Sequence, residues 1–434
     1  MPASEAAGTT LIVGACQAGV QLASIMRELG DTEPIVLIGE ENHRPYQRPP
    51  LSKGWIKGEL EPDDVILRTR EWFADRDIQL VTGDRVVTIH RGADGAGTAT
   101  TEGGRSIPFA RLALTTGAAV RRLPLPGTDY RGVHYLRDAD DAISLEDAMR
   151  DPATRRVVVI GGGFIGLETA AVARGLGKSV TVLEAAPRLV GRVVAEETSA
   201  FYLDAHRRRG TEVLLNARIA RIVGDDSSVA GGKGAVTGVE LEDGTLVPAD
   251  LVVIGIGVIP RVELADQLGL DVDGGIVVDE ACRTSDGRTV AAGDCAVMPN
   301  PYPLGVGGRI RLESVNNAFE QAKVAAATLL GQDAGYSGVP WFWSDQADIK
   351  LQIAGLSTGY DSVVVRGDPE SEKFGVLYYR GGQLIAADCI NHPAEFMAIR
   401  HALARGATIP PADAADTGIP LKKSIVEPAA AVLV

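Results

Sequence analysis

Two stretches of the chain repeat one pattern of apolar and polar positions. "LIVGACQAGVQLASIMRELGDTEPIVLIGE" runs from Leu11 to Glu40, and "VVVIGGGFIGLETAAVARGLGKSVTVLE" from Val157 to Glu184. Each opens on an unbroken apolar run, turns on glycines, and continues with apolar residues at helical spacing. Each then returns to an apolar run that ends in an acid. An unbroken apolar run predicts a strand buried on both faces, and the 3.6-residue spacing predicts an amphipathic helix. Both stretches therefore predict a strand–helix–strand unit of parallel sheet. Between them, "VILRTREWFADRDIQLVTG" predicts a helix and a strand, and further strands lead to "LALTTGAAV". The glycine and proline punctuation of "TTGAAVRRLPLPG" (115–127) marks a domain crossing.

Beyond the second unit, "TEVLLNARIARIVG" and "VTGVELEDGTLVPADLVVIGIG" predict a meander of strands, with a flexible hairpin loop at 224–238. "RLESVNNAFEQAKVAAATLLG" predicts a helix of about four to five turns from Ser314. Its apolar positions are Val315, Ala318, Phe319, Ala322 and Ala325 or Ala326, and Glu313-Ser314 supplies capping chemistry. From residue 334 onward, "VPWFWSDQADIKLQIAGL", "DSVVVRG" and "KFGVLYYRGGQLIAADCI" predict four or five strands followed by a helix, a separate α+β domain.

Composition narrows the class. A length of 434 residues suits two or three domains. A hydrophobic fraction of 45% with 51 glycines suits a turn-rich α/β protein. The net charge of −14 argues against nucleic acid as a partner, and an acidic protein would have to dock on a local basic patch. No run of about 18 apolar residues is free of charge, so no membrane partner is expected. "MPASEAAGTT" has neither the basic nor the apolar region of a secretory signal. Cys16, Cys282, Cys295 and Cys389 form no C-x-x-C pair and point to a reducing compartment, the cytoplasm. The six histidines are scattered, and no metal site is expected.

The glycine turns carry the chemistry. The second unit has the full dinucleotide fingerprint, Gly161, Gly163 and Gly166, with Phe164 and Ile165 opening the helix. The first glycine makes the tight turn, the second lets the backbone approach a pyrophosphate, and the third lets the helix pack on the strand. The phosphates meet the free N–H groups and positive dipole of the helix N-terminus. Glu184 would accept from a ribose 2′-OH and repel a 2′-phosphate, which favours NADH, although Arg188 is near. The first unit keeps Gly14 and Gly19 but has Cys16 in the middle place. Two readings stand. Cys16 weakens or shifts a phosphate contact, with a thiol of lowered pKa at a helix N-terminus, or it is a small apolar filler. Under either, Glu40, 26 residues after Gly14, keeps the ribose-binding role.

The order of blocks along almost the whole chain resembles the FAD-dependent, NADH-using ferredoxin reductases of bacterial oxygenase systems. These are the relatives of putidaredoxin reductase and of the biphenyl dioxygenase ferredoxin reductase. The matching blocks are "RPYQRPPLSK" (44–53), "LALTTGA" (112–118), "GGGFIGLE" (161–168), "RVVAEETSAFYLDAHRRRG" (192–210), "VVIGIGVIP" (252–260), "RTVAAGDCA" (288–296), "RLESVNNAFEQA" (311–322) and "PWFWSDQ" (340–346). The resemblance implies an α/β fold with two Rossmann-like dinucleotide-binding domains of the disulfide-reductase kind and a C-terminal α+β domain. Residues 1–118 and 249–333 would bind FAD, 119–248 NAD, and 334–434 would form the third domain.

The resemblance also implies roles for single residues. Gly14, Cys16, Gly19, Glu40, Arg48, Lys53, Thr116, Gly117, Asp294, Ser314 and Val315 would bind FAD. Gly161, Gly163, Phe164, Ile165, Gly166, Glu184 and Gly257 would bind NADH. Asp294 would bond the ribityl chain, and Arg48 and Pro49 would pack on the FAD. The helix start at Ser314 and Val315 would face the flavin pyrimidine ring, where a positive helix end stabilises negative charge. Lys53 and Glu168 would meet, position the nicotinamide and tune the flavin, with hydride passing directly. Trp343 would stand at the flavin edge facing the acceptor, and Arg309 and Arg311 would dock an acidic ferredoxin. Each residue also has a plainer use: a turn cap for Asp294, core packing for Trp343, solvated charges for Lys53, Glu168, Arg309 and Arg311.

Members of the wider superfamily that reduce disulfides carry a cysteine pair beside the flavin, and this sequence has none. Electrons would leave singly for a [2Fe-2S] ferredoxin of plant/vertebrate or Rieske type. That partner would serve a terminal oxygenase, a cytochrome P450 or a ring-hydroxylating dioxygenase. The rival reading is an NADH-responsive redox sensor similar to apoptosis-inducing factor, acting mainly through interactions. A third is a chain that loses FAD easily because of Cys16.

Overall fold

Four or five apolar residues in a row suit a strand covered on both faces, and such runs form the centres of two parallel sheets. They are seen in a computed structural model that describes residues 8–92, 95–225, 234–301 and 307–428. Most of the hairpin loop expected at 224–238, and the first seven residues of the N-terminal stretch, lie outside the described residues. By contacts the chain divides into two units. One comprises Met1–Gln47, Pro62–Ala119 and Ile259–Phe342, the other Arg48–Glu61, Val120–Val258 and Trp343–Val434.

In the first unit the five-stranded sheet runs Val290–Ala291, Arg111–Leu114, Thr10–Val13, Ile35–Ile38, Ile78–Val81, all parallel. Strand period decides which side each residue serves. Ile12, Ile35, Leu37 and Ala113 face a helical layer in which Gln17–Glu28 packs on Val315–Leu329, through Leu22, Met26, Ala322 and Ala325. Leu11, Val13, Val36, Ile38, Leu112 and Leu114 face the other way. They meet Ile89, Ala99, Ile107 and Phe109 of the antiparallel strands Val86–Arg91, Gly97–Thr101 and Ser106–Phe109. The helix expected from Ser314 spans Val315–Leu329, and the Ser314 hydroxyl accepts from the Asn317 N–H at 3.1 Å.

The second unit holds a parallel sheet of five strands in the order Glu212–Leu215, Ser179–Glu184, Arg156–Ile160, Leu251–Ile254, Val133–Tyr135. A meander of Ile219–Gly224, Val236–Leu241 and Leu246–Pro248 shares its core. The sequence pattern attaches Leu251–Ile254 to that meander. The structure instead pairs it in parallel with Arg156–Ile160, because all four of its residues are buried and need cover on both faces. An antiparallel sheet follows, in the order Trp341–Gln346, Ile349–Gly355, Gln383–Ile390, Lys373–Arg380, Ser362–Asp368. Helix Pro393–Ala404 covers it with Phe396, Ile399 and Leu403. The fold is thus α/β, with two Rossmann-like folds and a C-terminal α+β element.

Two features of the second unit are not visible in the chain order. Arg48–Glu61 interrupts the first unit in sequence but makes its contacts in the second, through Ser52 and Lys53. The C-terminal sheet is joined to helix Glu196–Arg208 by Thr198, His206 and the arginines at its end.

Candidate functional site

In the first unit the fingerprint turn is built on two glycines that leave no room for a side chain, and a Cβ at Gly19 would lie 2.1 Å from the Gly14 carbonyl oxygen. Gly14 has φ +119°, and a Cβ there would lie 2.1 Å from the Thr115 carbonyl oxygen. The Thr115 hydroxyl clamps the turn by donating to the carbonyls of Val13 at 3.1 Å and Gly14 at 2.9 Å. Cys16 is the N-cap of Gln17–Glu28, with extended backbone and no side-chain cap bond. Its half-buried Sγ lies 3.9 Å from the Tyr46 carbonyl oxygen. At the matching place in the second unit, Gly163 is also an extended N-cap, and a Cβ there would meet nothing within 4 Å. The middle residue therefore needs no glycine conformation. What differs is the side chain: Gly163 presents none, and Cys16 adds a thiol that lies against the Tyr46 carbonyl.

Neither fingerprint helix is capped by a side chain, whereas Asp138 forms a full capping box on Ala139–Arg150 and Ser314 caps its own helix. Neither Cys16 nor Gly163 supplies a side-chain acceptor to the first turn of its helix, and a phosphate fits that chemistry. Phe164, half-buried, and Ile165, exposed, open the second helix. Gly257, at φ +103°, has the Arg192 guanidinium 3.6 Å from the place of its absent Cβ.

The two acids are not equivalent. Val13 pairs with Ile38 and Ile160 with Leu183, so the residue matching Glu184 is Gly39, not Glu40. A Cβ at Gly39 would lie 2.8 Å from the Ala15 Cβ, which keeps a glutamate out of that place. Glu40 follows one residue later and pairs with Arg261, whose Nη1 is 2.6 Å from Oε1. Glu184 braces its own turn by accepting from the N–H groups of Gly162 at 2.6 Å and Ala186 at 2.7 Å. A carboxylate has about four acceptor positions, so room for a ribose hydroxyl is left. Arg188 is committed elsewhere: Nη1 donates to the Val194 carbonyl at 2.7 Å and Nη2 to that of Gly191 at 2.5 Å.

Lys53 and Glu168 meet, within the second unit. The Lys53 Nζ is 2.7 Å from Glu168 Oε2, and it also donates to the Pro49 carbonyl at 3.2 Å. Glu168 lies on the second fingerprint helix, 2% exposed, and also accepts from the Ser52 hydroxyl at Oε2 and the Ser344 hydroxyl at Oε1. A buried carboxylate is tolerable only with such a cation and satisfied lone pairs. Arg48, three residues before Leu51, donates to the Arg137 carbonyl at 2.6 Å. Sequence reasoning missed Ser52, Ser344, Gln346 and His206, which complete this cluster.

The remaining expected residues fall in both units. In the first, the Thr116 hydroxyl donates to the Arg261 carbonyl at 2.8 Å, and the Arg261 N–H donates to the Gly117 carbonyl at 3.0 Å. Asp294 is half-buried; its carbonyl accepts from Arg311, which also pairs with Glu313 at 2.7 Å. Val315, half-buried, begins the helix that Ser314 caps. Arg309 is exposed and 3.8 Å from Asp273. Of the expected docking pair, Arg311 is therefore engaged at short range, while Arg309 makes a long surface contact with Asp273. In the second unit Trp343 is half-buried and, by the period of two, faces away from Ser344.

Known proteins match this arrangement over nearly its full length. The family model described as pyridine nucleotide-disulphide oxidoreductase matches residues 8–325, and one described as reductase C-terminal matches 341–425. Rhodocoxin reductase of Rhodococcus erythropolis is 42% identical, over 96% of this chain and 94% of its own. The crystal structure of the ferredoxin reductase for the CYP199A2 system from Rhodopseudomonas palustris is 41% identical. It superposes with a TM-score of 0.89 over 96% of this chain and 100% of that one. The covalent putidaredoxin reductase–putidaredoxin complex gives 38% identity and a TM-score of 0.90, over 96% and 98% of the two chains. A family model matched over residues 8–325, and 42% identity to a relative over 96% of the chain, mean that this chain belongs to the pyridine nucleotide-disulphide oxidoreductase family.

Proposed function

We propose that this chain is a FAD-dependent NADH:ferredoxin oxidoreductase. It passes electrons to a [2Fe-2S] ferredoxin, of plant/vertebrate or Rieske type, that serves a cytochrome P450 or a ring-hydroxylating dioxygenase. The observation that carries this is the pairing of Lys53 with Glu168, a buried carboxylate on the helix that opens at Gly163, in a chain whose four cysteines are all free. Relatives whose names specify ferredoxin or putidaredoxin partners support the choice of acceptor. When bound, FAD supplies the conversion of a two-electron donation into single-electron release.

The division proposed for cofactors is 1–118 with 249–333 for FAD and 119–248 for NADH, with 334–434 as the third domain. Gly14, Cys16, Gly19, Glu40, Arg48, Lys53, Thr116, Gly117, Asp294, Ser314 and Val315 would hold FAD. Gly161, Gly163, Phe164, Ile165, Gly166, Glu184 and Gly257 would hold NADH. Two observations favour NADH over NADPH: the Glu184 carboxylate, and an Arg188 spent on backbone carbonyls. Lys53 and Glu168 orient the nicotinamide as fixed charges and transfer no proton. Trp343 borders the exit to the acceptor, and Arg309, with Arg311, contributes to docking. A cytoplasmic location accords with four unpaired thiols, and no helix among the described residues is long and apolar enough to cross a membrane.

The test is to titrate the anaerobic yellow holoprotein with NADH and then add ferredoxins of the two types. Bleaching by NADH, followed by ferredoxin reduction that slows with salt, is the expected result. A protein that takes up no flavin when FAD is supplied, or whose flavin NADH leaves oxidised, would refute the reading.

A further inference from the structure

Glu168 does not end its contacts at Lys53. Its Oε1 accepts the Ser344 hydroxyl at 2.6 Å, and the Ser344 oxygen accepts from Gln346 Nε2 at 3.2 Å. Gln346 Oε1 in turn lies 2.7 Å from His206 Nε2. Ser344 and Gln346 are two apart on strand Trp341–Gln346 and so project from one face, and His206 comes from helix Glu196–Arg208. All four are buried: Glu168 2%, Ser344 0%, Gln346 1% and His206 3% exposed.

We propose that Ser344, Gln346 and His206 are positioning residues whose hydrogen bonds all run one way, from the His206 ring to the carboxylate, and so hold Glu168 as a fixed, acceptor-only anion beside Lys53. The argument is a count of hydrogens. A serine has one O–H. If it is given to Glu168, the Ser344 oxygen must accept from the Gln346 amide. The amide then presents its oxygen to the histidine, which must carry its proton on Nε2. Reverse any link and the rest reverse. A His206 protonated on Nδ1 would take a hydrogen from Gln346, the amide oxygen would take the one on Ser344, and Glu168 could face Ser344 only by being protonated. The histidine tautomer and the charge state of Glu168 are thus coupled through two side chains. An amide does not relay protons readily, so the chain orients and does not conduct.

Burial lowers the pKa of His206 against the opposing hydrogen bond to Gln346, with Arg209 adding to the lowering, so the ring is neutral and its tautomer is the variable. The other groups facing this chain are Lys53 and the Ser52 hydroxyl, both on Glu168 Oε2, and Tyr202, whose ring lies 6.3 Å from that of His206. Burial raises the pKa of Tyr202 well above the ordinary value, and the carboxylates of Asp388, Glu168 and Asp345 add to this, so it stays neutral.

This proposal rests on the reading of Lys53 and Glu168 given above, and two measurements separate them. The first is NMR of holoprotein labelled with 15N-histidine, the His206 signal being assigned by its loss in H206Q. A neutral ring protonated on Nε2 around neutral pH is expected; a ring protonated on Nδ1, or a cationic ring, overturns the chain whatever Glu168 does. The second is the rate of anaerobic flavin reduction by NADH at neutral pH. E168Q should slow it several-fold, and if it matches wild type the reading of the pair fails. Given that slowing, S344A and Q346E should each slow reduction as well, the first by removing a donor, the second by drawing the Ser344 hydrogen away, and S344A should let the His206 ring populate the Nδ1 form. If both reduce flavin at the wild-type rate while E168Q does not, the chain is overturned.

Discussion

Asp388 offers a sharp test of the energetics of the second unit. It is 1% exposed, on strand Gln383–Ile390, and its Oδ2 accepts from the hydroxyls of Tyr378 and, at 2.8 Å, Thr198. The Tyr378 oxygen accepts in turn from the Ala195 N–H at 2.7 Å. Oδ1 has no partner. Burial raises the pKa from the ordinary 3.8 to about 7; the two hydroxyl donors oppose that, and the Glu197 charge adds to it. Between these two values the folded state holds a proton that the unfolded chain has released. Stability is therefore lost as pH rises through this window, and the loss levels off above about 7. The rise corresponds to about 4 kcal/mol in all, of which about 2.5 kcal/mol falls between roughly pH 5 and 8. D388N keeps the shape and an acceptor for Tyr378 and Thr198 but cannot ionise. Relative to wild type it should gain about 2.5 kcal/mol from roughly pH 5 to 8, read as roughly 5–10 °C in the melting temperature of a unit this size. Scanning calorimetry of holoprotein across that range measures it. Equal displacement of the D388N melting temperature at both ends would show that Asp388 does not carry this linkage.

Other substitutions probe the cradles and the C-terminal sheet. C16G should leave stability within about 0.5 kcal/mol, because Gly at an N-cap costs little relative to the best caps, and should slow FAD loss in a dialysis assay. G166A would put a Cβ 2.1 Å from the Gly161 carbonyl oxygen, a backbone atom that cannot yield cheaply. It should cost about 1–3 kcal/mol in thermal unfolding and weaken NADH binding by calorimetry. Arg209 bonds Asp348 at 2.8 Å and Glu372 at 2.5 Å, but the first partner is exposed. R209A should therefore cost only about 1 kcal/mol by denaturant titration at low salt, and less at high salt.

How much of this was legible in the chain depends on the range of the physics involved. The parallel strands, the fingerprint helices and the helix after Ser314 are set by local apolar period and by caps, and their residues announce them. Register is not local. Glu40 looks like the counterpart of Glu184 until the pairing of Val13 with Ile38 puts Gly39 in that place. Leu251–Ile254 reads as one more strand of a meander until its burial on both faces demands a parallel neighbour. Polar clusters are harder still. The partners of Glu168 stand 116 and 176 residues away at Ser52 and Ser344, and nothing near a lone glutamate distinguishes a solvated charge from a buried one. Ser344 and Gln346 mislead outright. Polar residues two apart on a strand ordinarily mark its solvent face, yet here they mark the buried one, because the hydrogens they need are supplied from another helix by His206 and consumed by Glu168.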